Sequence, residues 1–170
     1  MRAPATIRPD TRAKSTKWST LFSSDRQDWS TPPDLFKKLD EEFHFTLDAC
    51  ALAHNATLPR YFTPEQDGLA QDWGRDHVWC NPPYNNLLAW LAKGHASARK
   101  GALCVFLIPA RTDTRAWHEH AEHAHEIRFL RGRLKFGNAT NSAPFPSALV
   151  IFRPPLVLPV QLTLWEPLPW

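Results

Sequence analysis

Apolar positions along this chain alternate between short continuous runs and stripes with helical spacing, a pattern typical of an α/β fold. The first stripe consists of Leu35, Phe36, Leu39 and Phe43 and predicts a helix that starts near Pro32. Two further helices are predicted, from about residue 87 to 101 and from residue 111 onward. The predicted strands cover residues 45–51, 78–80, 102–108, 126–130 and 147–152.

The composition of these strands predicts their arrangement in one sheet. Residues 102–108 are continuously apolar and are followed by Pro109, as expected of a parallel strand that is buried on both faces. Residues 126–130 alternate polar and apolar side chains and therefore form a half-buried strand. Because no helical pattern separates them from the last strand, these two strands should pair antiparallel. We predict an α/β fold with a mostly parallel sheet that an antiparallel strand pair closes.

Length and charge suggest one folded domain with two extensions. The chain has 170 residues and a net charge of +3, but the first twenty residues contain five basic side chains against one acid. Residues 1–24 lack apolar periodicity, and we interpret them as a disordered basic arm. Residues 25–155 form the predicted domain, and residues 156–170 form a tail rich in Pro and Trp to which the sequence assigns no function.

The sequence also argues against several classes of protein. It contains no apolar run of membrane-spanning length and no secretory signal pattern, so a cytoplasmic protein without a membrane partner is expected. Cys50, Cys80 and Cys104 are widely spaced and favour reduced core thiols over disulfides or a zinc site. Four histidines crowd residues 118–125, but none are four apart, and we expect a surface role and no metal.

The most informative stretch is the turn Asn81-Pro82-Pro83-Tyr84 after the second predicted strand. Parallel sheets bind ligands at the carboxyl ends of their strands. Proline lacks an N–H, so this stiff segment offers carbonyl acceptors beside the Asn81 amide, while Tyr84 offers a flat ring for stacking. A planar heterocycle with an exocyclic amino group fits these features. The alternative is a turn that only terminates the strand.

Other polar residues surround this turn in the predicted fold. Thr31 is expected to cap the first helix with Pro32 at its first position, and a helix N-terminus favours a carboxylate. Asp48 ends a strand where a ligand's amine or hydroxyls would lie. An acid beside an aromatic residue can hold an adenine ring by hydrogen bonding and stacking. Asp72 and Trp73 are the better-placed pair, and for Asp67 both this role and an exposed turn stay open.

Two basic clusters are candidates for contact with a phosphate backbone. Arg111 and Arg115 lie at the start of the third helix, although an ion pair with Asp113 would also explain them. Four cations are concentrated at Arg128, Arg131, Arg133 and Lys135, and their spacing predicts several of them on one strand face that can follow phosphates. A solvated edge that discourages aggregation is the alternative.

Several of these motifs together resemble the phage-type DNA N6-adenine methyltransferase (Dam-like) family. The matching segments, from Trp29 to Pro154, are residues 31–32, 47–51, 72–73, 81–84, 109–114 and 132–136. The resemblance implies a Rossmann-like class I fold that transfers a methyl group from S-adenosylmethionine to the N6 amino group of adenine in double-stranded DNA. The enzyme would act in the cytoplasm of a bacterial host, encoded by a phage or prophage, without an obligate protein partner.

The resemblance also implies roles for individual residues. Asn81, Pro82, Pro83 and Tyr84 would be catalytic, with Asn81 and the Pro82 carbonyl drawing on the amino protons of a flipped base. The cofactor would lie against Thr31, Pro32, Asp48, Ala49, Asp72 and Trp73. The glycine-rich loop usual after the first strand is missing, since residues 49–56 contain no Gly. Methylation of an RNA base or a protein glutamine, and an inactive nucleic-acid-binding relative, are the alternatives.

Overall fold

The computed structural model describes residues 30–137 and 141–155. The predicted arm and tail lie outside these residues. The helices are α1 (Pro33–Phe43), α2 (Leu87–Ala98) and α3 (Arg115–Glu119), and single 3₁₀ turns cover Tyr84–Asn86 and Ala121–His123. The strands are β1 (Leu47–Asp48), β2 (His77–Cys80), β3 (Leu103–Pro109), β4 (Glu126–Phe129) and β5 (Ser147–Phe152).

The strands form one mixed sheet of five strands in the order β1-β2-β3-β5-β4. Strands β1, β2 and β3 pair in parallel, whereas β5 runs antiparallel to both of its neighbours, β3 and β4. This arrangement is the mostly parallel sheet with an antiparallel pair that the sequence predicts. The register pairs Asp48 with Trp79, so the carboxyl ends of β1 and β2 lie side by side.

The core has two layers because successive side chains of a strand point to opposite faces. Every residue of β3 and β5 is buried. Phe106 faces α2 and α3, whereas Val105 faces α1 and the segment that contains Phe136 and Phe145. The sheet is therefore covered on both faces, and its polar chemistry is confined to the ends of the strands.

Strand β1 is shorter than the predicted strand of residues 45–51. Only Leu47 and Asp48 are in the strand. The chain turns immediately afterwards, and the Asp48 carboxylate accepts a hydrogen bond from the N–H of Thr57 in the following loop. The outer edge of β1 is not bare, since Asp48 forms a parallel bridge with Tyr61. The short strand therefore lies between β2 and residues 60–62.

Helix α1 begins one residue later than predicted, which changes the role of Thr31. Pro33 is the first helical residue and Pro32 is the N-cap, without a side-chain capping bond. The prediction of Thr31 as N-cap and Pro32 as first helical residue was therefore wrong. With two consecutive prolines available, the helix starts at the second, and the Thr31 side chain is left to make another contact.

Helix α2 likewise lacks a side-chain cap. Asn86 occupies the N-cap position but makes no capping hydrogen bond. The 3₁₀ turn Tyr84–Asn86 leads directly into the helix instead. Gly94 of α2 lies against the ring of Phe106, and a Cβ at this position would overlap that ring. The close helix–sheet contact therefore needs a glycine.

An ion-pair network around Arg128 connects α1 with the start of β4 and the end of β5. Arg128 donates two hydrogen bonds to Glu42, at 2.7 and 2.6 Å, and a third to Glu126 at 2.6 Å. Arg153 also contacts Glu126, and both guanidinium groups lie over the Phe43 ring. These hydrogen bonds lower the pKa of both glutamates below 4.5. Arg128 therefore connects α1 to β4 at the amino edge of the sheet.

We expect Arg128→Ala to lower the free energy of unfolding by about 1 kcal/mol at pH 7, since partly exposed ion pairs are screened by water. Because Glu42 and Glu126 have lowered pKa values, their stabilising effect is present above pH 4.5 and is lost as the pH falls. Urea unfolding at pH 7 and pH 3 measures the difference. Arg115→Ala, which removes an exposed pair with Glu119, is the control. Equal destabilisation by both variants would contradict the special role of Arg128.

Candidate active site

The Asn81-Pro82-Pro83-Tyr84 turn lies at the carboxyl edge of the sheet, directly after β2. Pro82 and Pro83 are buried, and Asn81 and Tyr84 are partly buried. Because Asp48 is paired with Trp79, the turn begins beside the Asp48 carboxylate. The structure therefore brings together two candidate groups that are 33 residues apart in the sequence.

The Asn81 amide is held from both of its ends. Its Nδ2 atom donates a hydrogen bond to Thr31 Oγ1 at 3.2 Å, and its Oδ1 atom accepts one from the Tyr84 hydroxyl at 3.1 Å. Thr31 is 9% exposed, so its contact with Asn81 is largely removed from water. This bond replaces the capping role that the sequence predicts for Thr31. It connects the segment before α1 to the turn after β2.

Tyr84 contributes to an aromatic wall beside the turn. Its ring meets those of Phe136 and Phe145 edge to face, with centroids 6.5 and 5.5 Å apart. Burial raises the pKa of the Tyr84 hydroxyl, so it stays protonated and donates to Asn81. Arg111 lies over the Phe145 ring at 5.8 Å, which places a cation at the margin of this wall.

Asp48 fixes the loop that follows β1. Its Oδ2 atom accepts hydrogen bonds from the backbone N–H of Thr57 at 3.1 Å and from the Thr57 hydroxyl at 2.7 Å. Its Oδ1 atom accepts a third bond from the N–H of Cys50 at 3.3 Å. Burial raises the pKa of the Asp48 carboxyl, and the bonds from Thr57 and Cys50 partly oppose that shift. The carboxylate is a structural anchor as well as a polar group in the site.

We expect Asp48→Asn to change how stability depends on pH. Because folding raises the Asp48 pKa above 3.8, its favourable contribution is greatest below that pH and declines as the pH rises through the folded-state pKa. The free energy of unfolding of wild type minus that of the variant should therefore fall with rising pH and then become constant. Urea titrations between pH 3.5 and 8 measure this difference. Asp113→Asn, at an exposed carboxylate, is the control, and a difference that rises with pH would contradict the expectation.

A cavity of about 520 Å³, including its open mouth, joins Asp48 to the turn. Thr31, Asn81, Pro82 and Pro83 form one side of it. The remaining lining comes from Ser30, Asp48, Cys50, Ala51, Leu52, Asn55, Thr57 and Trp79. Hydroxyl, amide and carboxylate groups lie along an otherwise apolar surface, so the cavity suits a ligand of mixed polarity.

A second, smaller cavity adjoins the first through Cys50. It is lined by Ala49, Cys50, Phe62, Thr63, Pro64, Asp67, Gly68 and Trp90. Gly68 lies so close to the Ala49 carbonyl that a Cβ would overlap the backbone oxygen. A glycine therefore permits a close backbone approach beside β1, although it comes from a different segment than the missing glycine-rich loop.

The structure does not bring Asp72 and Trp73 to either cavity. Trp73 has no exposed surface, stacks on Trp90 at 6.4 Å and donates from Nε1 to the Gly68 carbonyl at 2.9 Å. Asp72 is exposed and accepts a hydrogen bond from the N–H of Gly74. Trp73 is therefore packed behind the second cavity, against Gly68 and Trp90 that line it, and does not line it itself. Asp67, for which the sequence also left an exposed turn open, lines the second cavity.

The basic candidates differ in their surroundings. Residues 131–137 are not part of a strand, because β4 ends at Phe129, so the prediction of a shared strand face was wrong. Arg131, Arg133 and Lys135 are nevertheless exposed, while the intervening Leu134 and Phe136 point toward the core. Arg128 is engaged by Glu42 and Glu126.

Arg111 and Arg115 are also exposed, and the contacts that the structure shows for them are with residues other than Asp113. Arg115 pairs with Glu119 at 2.8 Å, and Arg111 lies over Phe145. Residues 131–137 cross toward the cavity, since the N–H of Gly137 donates to the Ser30 carbonyl at 2.8 Å. The exposed cations lie outside both cavities, and residues 131–137 approach the larger cavity where Gly137 contacts Ser30.

The cysteines and histidines have structural surroundings. Burial raises the pKa of Cys50, Cys80 and Cys104, which opposes thiolate formation. The His95 ring stacks on the Phe152 ring with centroids 5.4 Å apart. The centroids of the His120 and His123 rings lie 6.0 and 6.4 Å from that of His95. Residues 30–137 and 141–155 contain no group of three side chains suited to a metal ion. In the same ranges, no helix has both the length and the apolar character needed to cross a membrane.

Sequence reasoning missed several residues of the site. Thr57 and Asn55 hold the loop after β1, and Asn55 accepts a bond from the N–H of Leu52 at 2.7 Å. The Asn and Thr content of this loop was the available signal, since both residues commonly bond to nearby backbone. Phe136 and Phe145 flank Tyr84, but their contact depends on long-range packing and leaves no pattern in the sequence.

Comparisons with known proteins agree with this geometry. Residues 18–161 match the model of the family described as DNA N-6-adenine-methyltransferase (Dam). The chain is 31% identical over 145 residues to the DNA N-6-adenine-methyltransferase of Haemophilus phage HP1 (strain HP1c1), covering 80% of this chain and 84% of that protein. It is also 29% identical over 108 residues to the DNA N-6-adenine-methyltransferase of Escherichia phage T1, covering 62% of this chain and 45% of that protein.

Proposed function

Because the chain belongs to the DNA N-6-adenine-methyltransferase (Dam) family, we propose that its carboxyl-edge cavity transfers a methyl group from S-adenosylmethionine to adenine N6 in double-stranded DNA. Family membership supports the reaction class, an adenine-specific DNA methylation. The observation that carries the site assignment is the single cavity that joins Asp48 to the Asn81-Pro82-Pro83 turn. A cofactor bound against that cavity would lie next to the group that would hold the target amine.

The sheet supports a Rossmann-like class I methyltransferase fold for residues 25–155. Its parallel strands have a cavity at their carboxyl ends, and its last strand is inserted antiparallel between β3 and β4. Ligand sites at this edge are the rule for open α/β sheets. We propose that this domain acts without an obligate protein partner, in the cytoplasm of a bacterial host.

The residues of the two cavities fit S-adenosylmethionine. Thr31 and Asp48 would lie along its amino-acid and ribose portions, because they line the larger cavity, which combines hydroxyl, carboxylate and apolar surfaces. Ala49 lines the smaller cavity, and Pro32 lines neither of the two. The smaller cavity is lined by apolar surfaces, with Phe62, Asp67 and Trp90 among its residues. We propose that the adenine ring lies toward this cavity, near Asp67 and not near Asp72. When bound, the cofactor supplies an electrophilic methyl group on a sulfonium.

The turn residues activate the substrate amine. The N6 lone pair of adenine is delocalised into the ring and is therefore a weak nucleophile. Asn81 Oδ1 and the Pro82 carbonyl can each accept an N–H bond, which pulls electron density onto nitrogen and favours a geometry ready for displacement. Pro83 lacks an N–H and keeps the turn rigid. Catalysis rests on positioned hydrogen-bond acceptors, and no covalent protein intermediate is needed.

The aromatic wall receives the target base. An adenine within a duplex cannot reach this turn and must be flipped out of the stack, which costs a few kcal/mol. Stacking on Tyr84 offsets part of that cost, since base–aromatic stacking contributes about 1–3 kcal/mol per base. The Phe136 and Phe145 rings hold Tyr84 from the side opposite to solvent. The duplex itself would contact Arg111, Arg115, Arg131, Arg133 and Lys135.

Methyl transfer to defined substrates tests this proposal. We expect radiolabel from S-adenosylmethionine in double-stranded DNA, recovered after digestion as N6-methyl-2′-deoxyadenosine, with little label in RNA or protein. Label in RNA or in glutamine would favour the other substrates that the sequence leaves open. A folded protein that binds the cofactor but labels none of these substrates would overturn the assignment. Expression in a host that lacks adenine methylation, followed by single-molecule sequencing, would also reveal the recognition sequence.

A further inference from the structure

The contact between Thr31 and Asn81 determines how the Asn81 side-chain amide is oriented. The two ends of a side-chain amide have nearly the same shape, so hydrogen bonds decide which end points where. In this structure the nitrogen faces the Thr31 oxygen, and the oxygen faces Tyr84, on the side of the aromatic wall. A rotated amide would present N–H groups toward the base and repel its amino group.

Thr31 is itself held firmly enough to serve as a reference point. The residue before it accepts a 2.8 Å bond from the N–H of Gly137, and Pro32, the residue after it, accepts a 3.0 Å bond from the N–H of Phe36 in α1. Its side chain is 9% exposed, and it lines the same cavity as Asn81. The hydroxyl therefore has a fixed position at which it meets the amide nitrogen.

We propose that Thr31 is a positioning residue for methyl transfer, which keeps Asn81 Oδ1 directed toward the target amine. This role rests on the proposed function and gives the Thr31 hydroxyl a task other than helix capping. The hydroxyl acts through Asn81, whereas the proposed cofactor contact of Thr31 uses its backbone and methyl group, which Thr31→Val keeps. The segment before α1 thereby sets the orientation of a group 50 residues away in sequence.

Thr31→Val and Thr31→Ser separate this role from the alternatives. Valine keeps the shape and removes the acceptor, so we expect kcat on DNA to fall about 100-fold, as for a misplaced reacting group. The dissociation constants for S-adenosylmethionine, measured by calorimetry, and for a DNA duplex should stay near wild type. Serine keeps the hydroxyl, and we expect it to retain most of the wild-type kcat.

A double-mutant cycle with Asn81→Asp gives an independent measurement. The two carboxylate oxygens of aspartate are equivalent, so there is no amide orientation to select. Thr31→Val should therefore reduce the residual activity of Asn81→Asp far less than it reduces that of wild type. An equal reduction in both backgrounds would mean that Thr31 does not act through Asn81.

Other outcomes also overturn the inference. Weaker cofactor binding with unchanged kcat at saturation would make Thr31 a cofactor contact. Equal losses in the Val and Ser variants would show that the hydroxyl is not the operative group, and thermal unfolding of both variants checks their folding. If Thr31→Val does not fold, Thr31→Ala replaces it in the comparison with Ser and in the cycle. A wild-type protein without methyl transfer would instead remove the proposed function.

Discussion

Asn81→Ala should reduce kcat for methyl transfer to adenine by about 10²–10³-fold, the loss typical of removing one preorganised hydrogen-bonding group from an active site. Asn81 Oδ1 is one of the two proposed acceptors for the amino protons, and water in its place would not be held in a fixed position. We expect cofactor affinity and thermal stability to change little, because the Asn81 side chain is at the surface of a cavity. Single-turnover methylation of a duplex with saturating cofactor measures the chemical step directly.

Asn85→Ala is the matched control for this experiment. Asn85 is an exposed asparagine four residues further along the chain, and it does not line either cavity. We expect wild-type rates from this variant. Asn81→Ala with a wild-type single-turnover rate would contradict the mechanism, and a large loss in Asn85→Ala would show that the turn as a whole is sensitive to substitution.

Simultaneous replacement of Arg131, Arg133 and Lys135 by Ala should have the second large effect, on DNA binding. Each phosphate contact contributes a slope of about −0.9 to the plot of log affinity against log salt concentration. If all three cations contact phosphates, the slope should become less steep by about 2.7, and affinity at low salt should fall at least about tenfold. Fluorescence anisotropy of a labelled duplex at several salt concentrations gives both quantities.

Three cations at the opposite edge of the sheet provide a control of equal charge. Arg75, Arg99 and Lys100 are exposed and lie at the amino ends of β2 and β3, away from both cavities. Their replacement by Ala removes the same net charge, and we expect the salt slope to remain near wild type. If both triple variants lose the same affinity, the effect comes from overall charge and not from a defined DNA-binding surface.

The fold could be predicted from the sequence mainly where burial dominates. The apolar run of residues 102–108 and the final run of residues 147–152 correspond closely to β3 and β5. Both strands lie in the centre of the sheet and are buried on both faces, so their side chains are continuously apolar and composition alone identifies them. The extent of β1 could not be predicted in the same way, because its end depends on the bonds from Asp48 to Thr57 and Cys50.

The candidate site was predictable in part for a related reason. The Asn81-Pro82-Pro83-Tyr84 turn and Asp48 follow their strands, and the carboxyl ends of parallel strands meet at one edge. Asp72 and Trp73 precede β2, and Trp73 is buried behind the second cavity because it packs against Trp90, a contact that sequence order does not predict. The role of Asp67 and the Thr31–Asn81 bond depend on how distant segments pack, which no local pattern encodes.

The insertion of β5 between β3 and β4 has a consequence for the folding pathway. Strand β4 pairs with β5 and not with β3, so it has no neighbour in the sheet until residues 147–152 are in place. Before that step, a nascent chain exposes one side of β3, whose seven residues are all buried in the native protein. Such an apolar edge is a hazard for aggregation. Pairing of β5 with β3 and β4 should therefore complete the sheet and remove this exposed edge. A chaperone would protect the chain most effectively just before that step.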